Sequence, residues 1–301
     1  MRHDLVSLKI FVAVAECGNL TRAAEREHLA VSAISKRIGE LETLVGTPLL
    51  QRYHRGVGLT PAGQSLLHHA RQMLQLVDRM EAELGEFASG VKGHVHVHAV
   101  ASALIQFLPE EIEAFLTRYP GVRISLEERT GKGVVLAVAD GSADLGVVAN
   151  HTSLHGLTSF PYRSDHLMIG VPIDHPLARR KSIRFADALD YAFVGPHADS
   201  SLAVLMAEGA RACGKPIEQR IQASSFEAMC RLVETRLGIT MLPEGVLARH
   251  AAEGRIRMIG LKETWARRQM FLVVRDPGQL SHIGRSLIEH LQRSAAAADA
   301  T

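Results

Sequence analysis

The stretch TRAAEREHLAVSAISKRIGELETLV, residues 21–45, decides how the rest of the chain is read. Thr21–His28 has the pattern of a short helix, with Ala23 and Ala24 small enough for close packing. After a tight break, Ser32–Val45 reads as a second helix, in which Ile34, Ile38, Leu41 and Val45 form one apolar stripe. Gly46 follows where a C-cap favours the left-handed conformation. Two helices so closely joined have the dimensions that place the second in a DNA major groove. Its first turn presents Ser32, Ala33, Ser35, Lys36 and Arg37, and Arg22 stands at the start of the preceding helix. Hydroxyls and a helix N-terminus suit phosphate oxygens, while Lys36 and Arg37 can neutralise phosphate or read guanine edges. Charge alone would equally describe a solvated basic face. Charge at this spacing points to DNA.

Working outward, Leu5, Leu8, Phe11, Val12 and Ala15 recur at helical spacing, and Gly18 ends the segment. Leu49–Leu59 carries the strand-favouring Tyr53 and Val57 with Gly56 and Gly58 as turn residues, which predicts a small hairpin, or wing, bearing Arg52 and Arg55. Glu42 and Arg52 are expected to tie the second helix of the pair to this wing. Thr60-Pro61 is a cap followed by proline at the first helical position, a strong start signal. The helix it opens is expected to run to about Ser89, since Gly90 and Gly93 break it. Leu66, Met73, Met80 and Phe87, interleaved with Ala70, Val77 and Leu84, form a heptad seam. Such a helix, roughly 45 Å long, needs a partner, and a twin chain is the simplest.

From Gly93 a strand–helix–strand pattern occurs twice. The first copy comprises a strand Val95–Val100, a helix Leu104–Tyr119, a strand Arg123–Arg129, a helix Val134–Ala139 and a strand Leu145–Val148. The second comprises a strand Tyr191–Gly195, a helix Ser201–Cys213, a strand Glu218–Ala223, a helix Phe226–Thr235 and a strand Ile239–Leu242. Two extended runs lie between them in Gly156–Pro172; a strand Gln269–Arg275 and a helix Ser281–Arg293 follow, and the alanine-rich tail 294–301 is expected to fray. Two βαβαβ units joined by extended crossovers imply two α/β lobes around a cleft. Strand ends feeding helices carry Ser102 and Thr130 in one copy, and Ser200, Ser201, Ser224 and Ser225 in the other. A helix N-terminus with a nearby hydroxyl holds a carboxylate or phosphate, although any single one of these residues is as readily a plain N-cap.

The composition narrows the function further. With 34 Lys+Arg against 32 Asp+Glu, net charge +2, any nucleic-acid surface must be a local patch. Hydrophobic residues at 47 % exclude a disordered chain. No secretory h-region is present, and no stretch approaches the roughly 18 apolar residues of a membrane span. Cys17, Cys213 and Cys230 form no CxxC pair and suit reduced thiols, so a cytoplasmic location is expected. There is no HExxH, GxSxG, P-loop or GxGxxG after a strand, so no catalysis and no cofactor are expected. His94, His96 and His98 alternate along one strand and could be weighed as zinc ligands, but side chains at i and i+2 diverge, which favours a polar sheet face. Glu110, Glu111 and Glu113 read as an acidic helix start that complements the macrodipole.

The run Ala23-Ala24, Val31–Ile38, Leu41-Glu42, Gly46–Leu50, Arg52 and Leu59–Gly63 resembles the winged helix of LysR-type transcriptional regulators. The resemblance continues through the long helix, through Asp174–Ala178 and through Gly238–Pro243, and so covers nearly the whole chain. It implies an α/β multi-domain protein: a winged helix-turn-helix over 1–59, a linker (dimerisation) helix over 60–90, and an effector domain over 91–301 resembling two-lobed periplasmic solute-binding proteins. Lobe I would take 91–161 and 266–301, and lobe II 162–265. It also implies double-stranded promoter DNA, a homodimer or homotetramer, RNA polymerase and a small effector as partners, with no membrane; the effector would be held foremost by Ser102, Thr130 and the Ser200–Ser201 pair. Where the family commonly has a serine cap and a glutamine, this chain has Ala30-Val31, whose valine suits a thymine methyl in place of an adenine contact. A solute-binding or small-molecule-processing protein using the cleft is the alternative. It leaves residues 1–90 unexplained.

Overall fold

The computed structural model describes residues 4–53, 56–89, 93–198 and 200–299. The chain divides into two compact units, one reaching from Met1 to Gly93 with the turn Asp140–Ser142 grouped to it, the other comprising the remainder.

In the first unit, α1 (Leu5–Cys17), α2 (Leu20–Glu27) and α3 (Val31–Val45) are followed by β1 (Leu50–Tyr53), β2 (Gly56–Leu59) and α4 (Pro61–Ser89). Asp4 caps α1 through the amides of Val6 and Ser7, and Asn19 caps α2 through those of Thr21 and Arg22. Leu8, Phe11, Ala23, Ala24, Ile34, Ile38 and Leu41 form the core, onto which α4 lays Leu66, Leu67 and Ala70. The expected tie between α3 and the wing is made by Glu42, whose Oε1 accepts the amides of Leu49 at 2.8 Å and Leu50 at 3.1 Å. Thr60 Oγ1 accepts the Gly63 amide as the cap of α4. Gly63 is required there: a Cβ would stand 2.1 Å from the Leu49 carbonyl oxygen. Along α4 the heptad seam divides. Leu66 and Ala70 serve the unit's own core, whereas Met73 (44 %) and Met80 (50 %) are exposed, joined by Leu76. The side chains of Leu84 and Phe87 lie outside the described residues.

The second unit has β3 (Gly93–Ala99), α5 (Ala101–Gln106), α6 (Leu108–Arg118), β4 (Val122–Glu128), α7 (Gly131–Asp140) and β5 (Leu145–Ala149). The single helix expected over 104–119 is broken at Phe107, whose backbone (φ −130°, ψ −47°) leaves the helical region before Pro109 starts α6 afresh. Next comes β6 (Thr158–Pro172), one continuous strand where the sequence suggested two runs. After a 3₁₀ turn follow β7 (Ser182–Ile183), α8 (Phe185–Ala188), β8 (Phe193–Gly195), α9 (Ser201–Ala212), β9 (Gln219–Gln222), α10 (Phe226–Glu234), β10 (Thr240–Pro243), α11 (Glu244–Ala252), β11 (Ile256–Leu261), β12 (Arg267–Val274) and α12 (His282–Asp299). The sequence reading had no place for α11 or β11.

Strand β6 belongs to two sheets. Up to His166 it pairs with β12, in the order β4-β3-β5-β12-β6; from Leu167 it pairs with β10 and β11. The lobe boundary expected at 161/162 therefore falls inside a continuous strand. One core gathers Val97, Val147, Leu272, Phe115 and Leu287; the other gathers Ile169, Phe193, Met229, Met241 and Ile259. At the crossover, Asp165 and Arg268 are cross-strand partners with side chains only 2 % and 3 % exposed. Arg268 gives Asp165 both Nε, at 2.8 Å, and Nη2, and Gln106 adds a third donor at 3.2 Å.

The tail is more ordered than its composition suggests. Helix α12 continues to Asp299, Ala295 is buried, and Ser294 Oγ bonds Glu111 Oε1 at 3.1 Å. Glu111 itself is buried, receiving Tyr162 Oη and Arg163 Nε at 3.0 Å as well, rather than standing in solvent at a helix start. The three strand histidines each meet a polar partner: His94 the Ser125 hydroxyl, His96 the Asp144 carboxylate and His98 the Glu127 carboxylate. Among the described residues no group of three or more His, Cys, Asp or Glu is poised to hold a metal ion, and no helix is long and apolar enough to cross a membrane.

Two measurements check this packing. Asp165→Ala strands the Arg268 guanidinium in the interior, so urea unfolding of the second unit should show a loss of about 3–5 kcal/mol. Cys230 is fully buried and its thiol is pushed up to about 12 by burial and by the nearby Glu227 and Glu234. It should therefore resist iodoacetamide in the folded protein and react only after denaturation, as intact-mass spectrometry would read.

Candidate nucleic-acid interface and effector cleft

In the first unit, His28 ends α2 in the left-handed conformation (φ 55°), and the Leu29 amide bonds the Ala24 carbonyl at 2.9 Å. The chain thus turns sharply into α3. The apolar stripe of α3 faces the core, so Ser32, Ser35 and Lys36, at spacings of three and four, share another face. Ser32 is exposed, Ala33 and Ser35 are half-buried, and the Lys36 side chain is 77 % exposed with Glu40 3.9 Å away. Arg22 is exposed on α2.

Arg37 departs from the expectation that it stands ready as a groove contact. Its Nη1 donates to Asp4 Oδ2 at 2.9 Å and to Ser7 Oγ at 3.2 Å, fastening α3 to the start of α1. The Asp4 carboxyl is held below its usual range, chiefly by the Val6 amide, with Ser7 and Arg37 adding to the effect. No local pattern announces this pairing, because Asp4 lies 33 positions away and already has a local role as the α1 cap. The side chain of Arg52, and Arg55 altogether, lie outside the described residues.

In the second unit a cavity of about 280 Å³ is lined from both lobes: Ser102 and Thr130 from the first repeat, Ser200, Ser201 and Ser224 from the second. Five of the six hydroxyls singled out in the sequence are thus brought together. Ser225 is not among them; it caps α10, accepting the Ala228 amide at 3.4 Å. Capping also occupies Thr130, towards Gly133 at 3.2 Å, and Ser200, towards Ala203 at 3.1 Å. Ser102 is buried in the first turn of α5, whose N-cap Val100 offers no side-chain acceptor. The structure adds Glu128, Arg129, His197, Phe226 and Arg268 to the lining. Arg268 was legible only as one of two arginines heading an apolar strand. Its Nε and Nη2 serve Asp165, and the residue also lines the cavity. His151, near Arg268 and the Ser201 backbone, is held below the usual imidazole range first by burial and then by the Arg268 charge. A neutral imidazole leaves Arg129 and the Asp165-paired Arg268 as the cations among the lining residues. A larger groove of about 580 Å³ runs along α9, lined by Ala203, Met206, Ala210 and Ile217; its walls come from one lobe alone.

Comparison with known proteins agrees with both halves. Residues 5–64 match the model of the bacterial regulatory helix-turn-helix protein, lysR family, and residues 88–296 match that of the LysR substrate binding domain. The RuBisCO operon transcriptional regulator of Allochromatium vinosum is 27 % identical over 296 residues, covering 98 % of each chain. The HTH-type transcriptional regulator YbhD of Escherichia coli K12 is 26 % identical over 283 residues, 93 % of this chain and 88 % of that protein. Among solved structures, full-length CbnR complexed with its target DNA superposes with a TM-score of 0.69 at 24 % identity, covering 97 % of this chain and all of that one. Full-length OxyR C199D from Pseudomonas aeruginosa gives 0.71 at 21 % identity, covering 98 % and 95 %. With a helix-turn-helix unit at one end and a two-lobed binding unit at the other, this chain belongs to the LysR family of DNA-binding transcriptional regulators.

Proposed function

We propose that this regulator grips a two-fold promoter site through paired α3 helices and answers to a small anionic effector held between the lobes of its second unit. The observation that carries the effector class is the convergence of hydroxyls from both repeats on one cavity with Arg129 and Arg268 among its lining residues. Hydroxyl donors, first-turn amides of α9 and a buried cation together favour a carboxylate or phosphate group. The apolar faces of Phe226, Leu202 and Val100 suit the remainder of a small organic acid. Pairing of two chains is supported by the exposed Met73, Leu76 and Met80 on α4, a large apolar surface with no cover in its own unit. Closing of the lobes on the effector would bias the population of bound conformations, and with it how the DNA is presented to RNA polymerase. The roles are binding ones, with no catalytic step.

On the DNA side, Lys36, Ser32 and Ser35 supply phosphate and groove contacts, Arg22 a flanking phosphate contact, and Arg52 and Arg55 a contact from the wing. Arg37 acts first as a positioning residue, because contacting DNA would require it to leave Asp4. Gel shift with DNA from beside its own gene should show retardation, which the solute-binding alternative does not predict. Lys36→Ala should weaken binding to all sequences and flatten the salt dependence by about one unit. Arg37→Ala and Asp4→Asn should instead resemble each other, lowering affinity without that change in slope; a slope change in Arg37→Ala alone would make it a phosphate contact.

Calorimetry against a panel of small carboxylates and phosphates should identify a binder. Binding should weaken at least tenfold in the Ser102→Ala plus Thr130→Ala variant, and unchanged binding would remove these residues from the site.

A further inference from the structure

We infer that Val31 is a specificity residue that reads the 5-methyl group of a thymine in the major groove. The inference rests on the reading of α3 as the helix that enters the groove. Three observations point to it. Val31 opens α3 and is 41 % exposed, as is Leu29 two residues before it, whereas Ile34, Ile38 and Leu41 of α3 are turned into the core and Leu44 is the exposed apolar residue at the helix's far end. Neither Val31 nor Leu29 is among those that build the core of the first unit or pack against it. The fold therefore gives Val31 no partner that explains an apolar side chain at this position.

The second observation is the missing cap. Asp4 and Asn19 cap the two preceding helices with side-chain oxygens, whereas Ala30 offers none to α3. The Ala33 and Ile34 amides bond the Ala30 carbonyl, so those of Val31 and Ser32 are the ones placed for an outside acceptor, and a backbone phosphate supplies one. A phosphate seated on those amides would bring the adjacent base edges beside the first helical residue.

The third concerns the chemistry of the side chain. Valine in a helix is held almost entirely in one rotamer, so its two methyl groups are presented with little entropy left to lose on contact. It can neither donate nor accept a hydrogen bond. Among the groups exposed in the major groove, the thymine methyl is the one that gains from apolar contact, whereas the amino, carbonyl and N7 edges would lose water without replacement. Ser32, next along and exposed, keeps the polar contacts that a valine cannot make.

The test uses the full chain and DNA selected by it from a random library. Each thymine of the selected site is replaced in turn by deoxyuridine, which removes only the methyl group. One thymine in each half-site should weaken binding about three- to fivefold on replacement, the effect of one methyl group leaving a buried contact. In Val31→Ala that sensitivity should vanish, while Lys36→Ala should bind more weakly yet retain it. Alanine favours the helix more than valine does and the position is outside the core, so the variant keeps its fold. Uridine-insensitive binding by the parent chain, or sensitivity that persists in Val31→Ala, would overturn the inference. If Val31→Ala and Lys36→Ala both bind the selected DNA as the parent does, the reading of α3 as the groove helix fails with it.

Discussion

The second unit is organised by a strand that serves two sheets at once. Because β6 runs unbroken from the β12 ladder to the β10 and β11 ladders, the two lobes share backbone hydrogen bonds at their junction rather than meeting across a flexible linker. The residue pair at that junction is charged and buried. Asp165 and Arg268 stabilise each other only as a pair, since either alone would leave an uncompensated charge in a medium of low dielectric. Arg268 also lines the cleft, so the residue that fixes the crossover forms part of the cavity wall.

Much of this was visible in residue order. The helix-turn-helix was legible because its information is local: a stripe at helical spacing, small alanines and a glycine stop. The repeats of the second unit were legible for the same reason, and so were five cleft hydroxyls, since strand ends feeding helices are marked by serine and threonine. What the sequence concealed was long-range pairing. Arg37 with Asp4, Asp165 with Arg268, and Glu111 with Tyr162 and Ser294 are each 30 or more positions apart, and nothing in the local pattern names the partner. The histidine strand is similar: the carboxylates of Asp144 and Glu127 meet it only through the sheet.

Two misreadings share one cause. Periodicity alone reads 104–119 as one helix and 156–172 as two runs, whereas backbone conformation at Phe107 and pairing along β6 decide where elements end. Helix α11 is hidden by Arg249 and His250 within its apolar residues, and strand β11 is short and interrupted by Arg257.

The last helix has a consequence for how the chain tolerates loss at its end. Ser294 donates to a carboxylate that is otherwise enclosed, and Ala295 fills space against the first lobe. Exopeptidase trimming through the terminal alanines would be harmless only until it reached these two residues. Past that point, an acidic oxygen deep inside the protein would lose one of its hydrogen-bond donors, and the site would open to water.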